Sequence, residues 1–278
     1  MSLIESYIEG YKFYHTEEAQ GILEWLLKES HKKWSQPFHS SRHSTVMKVR
    51  HPVLGELFIK RFDPRGLSVK TKDSIRGSRA YRAWKAGEML EKNGFCAPSV
   101  LVVGEKKRLG LLIESVLVTV PLEATPLPEF FLPVKDYEVK RNMVRKLGRE
   151  IGKMHRLGII HGDLIPGNIF VAMESERLLI CLLDNESTRK VDAISINERI
   201  KNLVQLNRAI LPRITASDRI RFFDAYLEEN PFLDASKDEL LRKIGEITSE
   251  RVMRHRKIPL KDRKEITFRA IMAWNDKG

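Results

Sequence analysis

Residues 159–170 read IIHGDLIPGNIF. His161, Asp163 and Asn168 stand within eight positions of one another, between apolar residues on both sides. The flanks narrow what can hold such a stretch. Upstream, Val139, Met143, Leu147, Ile151 and Met154 recur at helical spacing, which predicts a long helix over 136–157 that Gly158 ends. Downstream follow a short strand (NIFVAM), a polar turn (ESER) and an apolar strand (LLICLLD) that closes on Asp184. A surface turn whose Asp and Asn only satisfy their own backbone needs neither the helix nor the hairpin.

Phosphoryl transfer does need these residue types. One carboxylate must accept a hydrogen bond from the attacking hydroxyl. An amide oxygen and a second carboxylate must hold magnesium against nucleotide phosphates. Asp163, Asn168 and Asp184 supply that set in the pattern H-x-D-x-x-x-x-N followed by D. A lysine on a strand should complete it. LFIKRF offers Lys60, which by period-two alternation shares a face with Phe58 and Phe62, opposite Leu57 and Ile59. Lys48 and Arg61 compete for the role, since strand charges are usually just solvated.

The rest of the chain falls into three stretches. Residues 16–33 read as a short amphipathic helix with Ile22, Leu23, Trp25, Leu26 and Leu27 on its apolar side. Packing on the body of the protein and lying on a membrane surface both fit it. Up to about residue 120 the pattern is mainly sheet with one helix. A hairpin is expected at 44–50 and 56–62, a helix at 76–93 and strands near 99–104 and 110–120. Prolines 121, 126, 128 and 133 then break regular structure, and the remainder is helical and basic. The expected organisation is a helical extension over 1–35, a β-rich lobe over 36–120 and a helical lobe over 121–278.

With 278 residues and a formal net charge of +12, the chain can bury a large core and should favour anionic partners. A generally basic, solvated surface is the plainer reading of the same charge. Arg76, Arg79 and Arg82, and Arg251, Arg254, Arg256 and Lys257 near the end, carry part of the surplus. No zinc-finger spacing or aromatic ribonucleoprotein signature is present, so nucleic acid is not expected as a partner. Two cysteines, Cys96 and Cys181, do not make a disulfide framework, which suggests a reducing cytosol. The opening MSLIESYIEGYKFYHTEE carries acids and tyrosines where a signal peptide would be basic and then apolar. The longest apolar run, LGLLIESVLVTVPL, is too short to span a bilayer.

Taken together, IKRF, SRAYRAWKAGEMLEKNGFCAP, LLIES, HGDLIPGNIFV, LLDNEST and the late RIKNLVQLNRAI and DRIRFFDAYL resemble the bacterial lipopolysaccharide kinases. These phosphorylate Kdo or heptose sugars of the inner core and belong to the protein-kinase-like superfamily. The resemblance runs from about residue 44 to 228. It implies an α+β, bilobal protein-kinase-like fold, with a small β-rich N-lobe carrying one helix and a larger helical C-lobe. It implies ATP and Mg2+ as cofactors, an anionic glycolipid or sugar substrate, and a cytoplasmic chain in peripheral contact with the inner membrane. Lys60 becomes the phosphate-binding lysine, Asp163 the catalytic base, and Asn168 and Asp184 the magnesium ligands. Glu114 to Val116 become the interlobe hinge whose backbone meets adenine.

The chain departs from the family pattern in three places. Asp184 is followed by Asn185 and Glu186. FHSSRHSTV, with Ser41 and Ser44, stands where a glycine-rich phosphate loop would be. Ala83 occupies the helix position expected to hold the acid that pairs with the lysine, with Glu88 further along the same helix. Two other readings stay open, the second of them suggested by Ala83. One is a kinase for another small molecule or for protein. The other is a catalytically weak nucleotide-binding protein.

Overall fold

A computed structural model describes residues 3–31, 39–40, 44–175, 177–208, 213–231, 233 and 236–255. The chain divides into two compact units, 1–123 with 184–187, and 124–183 with 188–278.

The first unit contains β1 (Ile4–Ile8), β2 (Tyr11–His15), α1 (Leu23–His31), β3 (His39–Ser40), β4 (Ser44–His51), β5 (Gly55–Phe62), α2 (Leu67–Arg76), α3 (Arg79–Lys92), β6 (Val100–Arg108) and β7 (Leu111–Thr119). Its seven strands form one antiparallel sheet in the order β1-β2-β6-β7-β5-β4-β3. The alternation along β5 sends Leu57 and Ile59 into a core shared with Leu23, Leu26, Tyr11 and Phe13. Phe62, on the other face, packs with Ala80, Ala83 and Trp84 of α3.

Three features depart from the sequence reading. Residues 4–15 are a hairpin of the main sheet rather than part of a helical extension, and α1 packs into the same core. The segment 67–92 holds two helices rather than one that starts at 76. The break is Gly77, at φ +83°, and Ser78 caps α3 by accepting from the Tyr81 N–H. Neither cysteine is a free thiol, which corrects the expectation of two reduced thiols.

The second unit contains β8 (Ala124–Pro126), α4 (Leu127–Phe130), α5 (Tyr137–Arg156), β9 (Ile159–Ile160), β10 (Ile169–Glu174), β11 (Arg177–Leu182), β12 (Arg189–Lys190), α6 (Ile196–Asn207), α7 (Ala216–Glu228) and α8 (Lys237–His255). Asp136 opens α5 by accepting from the Glu138 and Val139 N–H groups. Gly158 ends the run at φ +77°. A Cβ there would meet the Val191 carbonyl oxygen at 2.1 Å. The buried face of α5 carries Met143, Leu147, Ile151 and Met154, while Val139 is exposed. Gly148 lets α7 approach closely, since a Cβ there would lie 2.2 Å from the Phe222 carbonyl oxygen. Among the described residues no helix is long and apolar enough to cross a membrane.

Candidate active site

In the second unit, the loop between β9 and β10 is fixed from two directions. The Asp163 N–H donates to Nδ1 of the buried His161 (3.3 Å), so Nε2 carries the proton and donates to the Leu183 carbonyl (3.0 Å). The Leu183 N–H in turn donates to the Asn168 carbonyl (2.9 Å). Both backbone groups of the residue before Asp184 are thereby held by the loop. From the other direction, α6 supplies amides. Asn202 Nδ2 donates to the His161 carbonyl (2.7 Å) and Gln205 Nε2 to the Gly162 carbonyl (3.1 Å). Gln205 Oε1 accepts from the Leu164 N–H (3.3 Å). The late segment RIKNLVQLN therefore serves as the fastening of the loop.

Asn168 is buried, and its Nδ2 donates to the Asp163 carbonyl (2.9 Å) and to Asp163 Oδ2 (3.2 Å). These bonds fix the amide with its oxygen free of the donor role, as a hard-cation ligand requires. They also hold the exposed Asp163 carboxylate in one orientation.

In the first unit, the face of β5 opposite Leu57 and Ile59 carries Lys60, with its side chain 15 % exposed. Nζ lies 2.6 Å from Asp184 Oδ1, 3.6 Å from Glu186 Oε2 and 5.0 Å from the centre of the Phe62 ring. Asp184 adopts φ +57°, a left-handed conformation that Asp tolerates better than bulkier residues. Its carboxylate is half exposed.

Glu186 is the residue that the sequence reading missed. Its side chain is 11 % exposed, and besides Lys60 it approaches Arg79 (3.5 Å). Its carbonyl accepts from Arg82 Nε (3.3 Å). Arg82 is anchored in turn by Asp73 (3.0 Å) and the Gly77 carbonyl (2.6 Å). Arg79 and Arg82 thus turn toward the 184–187 segment rather than supplying free surface charge. Glu88 does not substitute for the missing helix acid, because it pairs with Lys85 on its own helix (3.1 Å). Ala83 packs in the apolar cluster around Phe62. The signal for Glu186 was its spacing, two residues after an aspartate that ends an apolar strand.

Glu114 and Val116 lie inside β7. Val116 pairs with Arg61 on one side and Gly104 on the other, so its backbone sits within the sheet rather than at a hinge. Glu114 Oε1 accepts from the Tyr11 hydroxyl (2.5 Å), and burial, followed by the Glu114 bond, pushes the Tyr11 pKa far up. The chain leaves the first unit only after Glu123. Ser44 opens β4 opposite Phe62. Ser41 lies outside the described residues, as do Arg256 and Lys257.

Asn168 in the second unit and Asp184 in the first each offer a hard oxygen, an amide carbonyl and a carboxylate, of the kind that Mg2+ takes alongside phosphates and water. Among the described residues no cluster of three or more His, Cys, Asp and Glu side chains competes as a cage.

The profile of the lipopolysaccharide kinase (Kdo/WaaP) family matches residues 68–226, more than half of the chain. The chain belongs to this family. Membership puts it among the phosphotransferases. The solved structure of WaaP in complex with acyl carrier protein superposes with a TM-score of 0.62 at 18 % identity, covering 86 % of this chain and 98 % of that one. The fold is accordingly protein-kinase-like. A curated relative, the EKC/KEOPS complex subunit BUD32 of Coccidioides immitis (strain RS), is 29 % identical over 94 residues. The match spans 33 % of this chain and 30 % of that relative's length.

Proposed function

We propose that this kinase transfers the γ-phosphoryl group of ATP to a sugar hydroxyl, Kdo or heptose, of the lipopolysaccharide inner core. The observation that carries the reading is the family match over 68–226, which contains Asp163, Asn168, Asp184 and Glu186. In this reading Asp163 orients the acceptor hydroxyl and accepts its proton. Lys60 holds the α and β phosphates. Asn168 and Asp184 hold magnesium, which when bound neutralises charge that develops on the phosphates. Glu186 takes the role of the absent helix acid. Lys60 now rests on Asp184. Were Asp184 to hold a metal ion, Glu186 Oε2 would remain as the anion beside the ammonium. Catalytic weakness was suggested by Ala83, and Glu186 removes the motive for it.

The acceptor would be lipid-held and anionic, at the cytoplasmic face of the inner membrane, where the +12 charge favours encounter. The test is transfer from saturating Mg-ATP to a purified lipid-linked core acceptor and to a neutral soluble sugar, across a salt series at fixed magnesium. Activity on the lipid-linked acceptor should fall steeply with salt, and activity on the neutral sugar little. Equal salt responses would remove the electrostatic part of the reading. Phosphorylation of a protein or an aminoglycoside, with none of either sugar, would replace the substrate class.

A further inference from the structure

Helix α2 is turned inside out. The side it buries is polar. Asp73 is buried and paired with Arg82 (3.0 Å), and Ser74 Oγ accepts from the Leu112 N–H of β7 (2.7 Å). The side it presents to solvent is aliphatic and cationic. Leu67 is 72 % exposed and Ile75 80 %. With Thr71 they form an i, i+4, i+8 row, and Lys72 and Arg76 line the flank of that row. An amphipathic helix that serves only the fold has the opposite arrangement.

The Ser74–Leu112 bond seats this helix at the root of the β6–β7 turn. Leu109, at the tip of that turn, is 96 % exposed and sits at φ +49° beside Gly110 at φ +76°. Two successive positive φ values suit Asn-Gly or Asp-Gly, and a leucine there is strained. Leu109 thus gains nothing from burial and costs the turn something, although singly exposed aliphatics need no explanation elsewhere. Lys107 and Arg108, both exposed, precede it. Arg65, Lys72, Arg76, Lys107 and Arg108 have no acidic partner among the described residues.

We infer that α2 and the β6–β7 turn form a docking surface for an anionic lipid bilayer. A protein partner would need a contiguous complementary patch of roughly 1,000 Å² or more. Separate aliphatic points among unpaired cations suit an interface that takes up side chains individually. Leu67, Ile75 and Leu109 would enter the headgroup–acyl boundary while the cations meet lipid phosphates. This accords with a lipid-held acceptor but does not rest on it, because the surface lies wholly in the first unit and its binding can be measured without ATP or sugar.

The experiment is co-sedimentation of the full chain with vesicles of phosphatidylcholine alone and of an equimolar mixture with phosphatidylglycerol, at low and physiological salt. The chain should bind the mixed vesicles, more weakly at higher salt. Lys72→Glu with Arg76→Glu should weaken binding on the order of twentyfold or more, at about fivefold per cation. Leu67→Ser with Ile75→Ser should weaken it on the order of tenfold. Leu109→Asn gives the decisive contrast. It should weaken vesicle binding while leaving the thermal midpoint unchanged or raised, since Asn accepts the turn conformation. Failure of the parent chain to bind mixed vesicles, or binding that none of the variants alters, would overturn the inference. So would equally tight binding to duplex DNA that Leu109→Asn leaves intact, or a dimer in solution that Ile75→Ser dissociates.

Discussion

Removing the Asp163 carboxylate while leaving the loop intact isolates the proposed base. Asp163→Ala should lower transfer by ~10²–10⁴-fold, the usual loss for a general base. Nucleotide affinity should change little, because the base acts on the acceptor hydroxyl and the Asp163 carbonyl still holds the Asn168 amide. Calorimetry with Mg-nucleotide and a transfer assay report the two separately, and near-normal turnover would remove Asp163 from the role. Glu186→Gln should act in the complementary way. Losing the negative charge 3.6 Å from Lys60 Nζ should weaken Mg-nucleotide binding about tenfold, with turnover falling as well. Glu88→Gln should leave both quantities alone, since Glu88 engages Lys85. A larger effect from Glu88 than from Glu186 would restore the helix acid and exclude the substitute.

At the scale of elements, the tightest constraint is the seam between α5 and α7. Gly148→Ala would place a methyl group on the Phe222 carbonyl and against the Ala225 Cβ. Backbone cannot rotate away as a side chain can, so a loss of about 3 kcal/mol, at the upper end for overpacking, is expected. Chemical denaturation measures it, and a change below about 1 kcal/mol would mean that the seam opens freely. The helix itself was legible, because the 3.6 period of its apolar residues is long and its cap and stop are present. So were the β4–β5 hairpin and the face of Lys60, since alternation alone decides which side of β5 is apolar. The N-terminal strands were not. They are five residues each, and the inward row of β2 ends in His15, a polar residue that is buried because Ser6 and the Thr16 carbonyl bond it. Helix α2 was missed for a different reason: its hydrophobic periodicity describes its outer face. The family pattern places the acid beside the lysine on a helix, whereas in this chain the turn after β11 brings Glu186 to Lys60. No periodicity could have revealed that, because the contact joins residues more than a hundred positions apart.

For the molecule as a whole, stability and the integrity of the catalytic loop meet at His155. It is buried on α5. Nδ1 lies 2.9 Å from the Tyr226 hydroxyl of α7 and Nε2 lies 3.2 Å from Asn202 Oδ1 of α6. Asn202 is the residue whose amide holds the His161 carbonyl. Burial pushes the His155 pKa down to about 4, with the Arg199 guanidinium acting in the same direction against the Asn202 bond. An unfolded chain protonates this side chain near pH 6.5. Between those two values the unfolded state binds the extra proton, so stability rises with pH. The contribution is complete above about pH 6.5 and falls by up to ~1.4 kcal/mol per pH unit on acidification, on the order of 3 kcal/mol in all. Below about pH 4 this residue adds no further loss. His155→Gln keeps a donor for Asn202 and an acceptor for Tyr226 but cannot titrate. It should be less stable than the parent at neutral pH, and the gap should narrow as pH falls from about 6.5 to 5. Thermal midpoints of the two proteins across that range decide the matter. Parallel curves would show that His155 does not carry the pH dependence. Convergent curves would tie acid sensitivity to the same network that fixes the loop of Asp163.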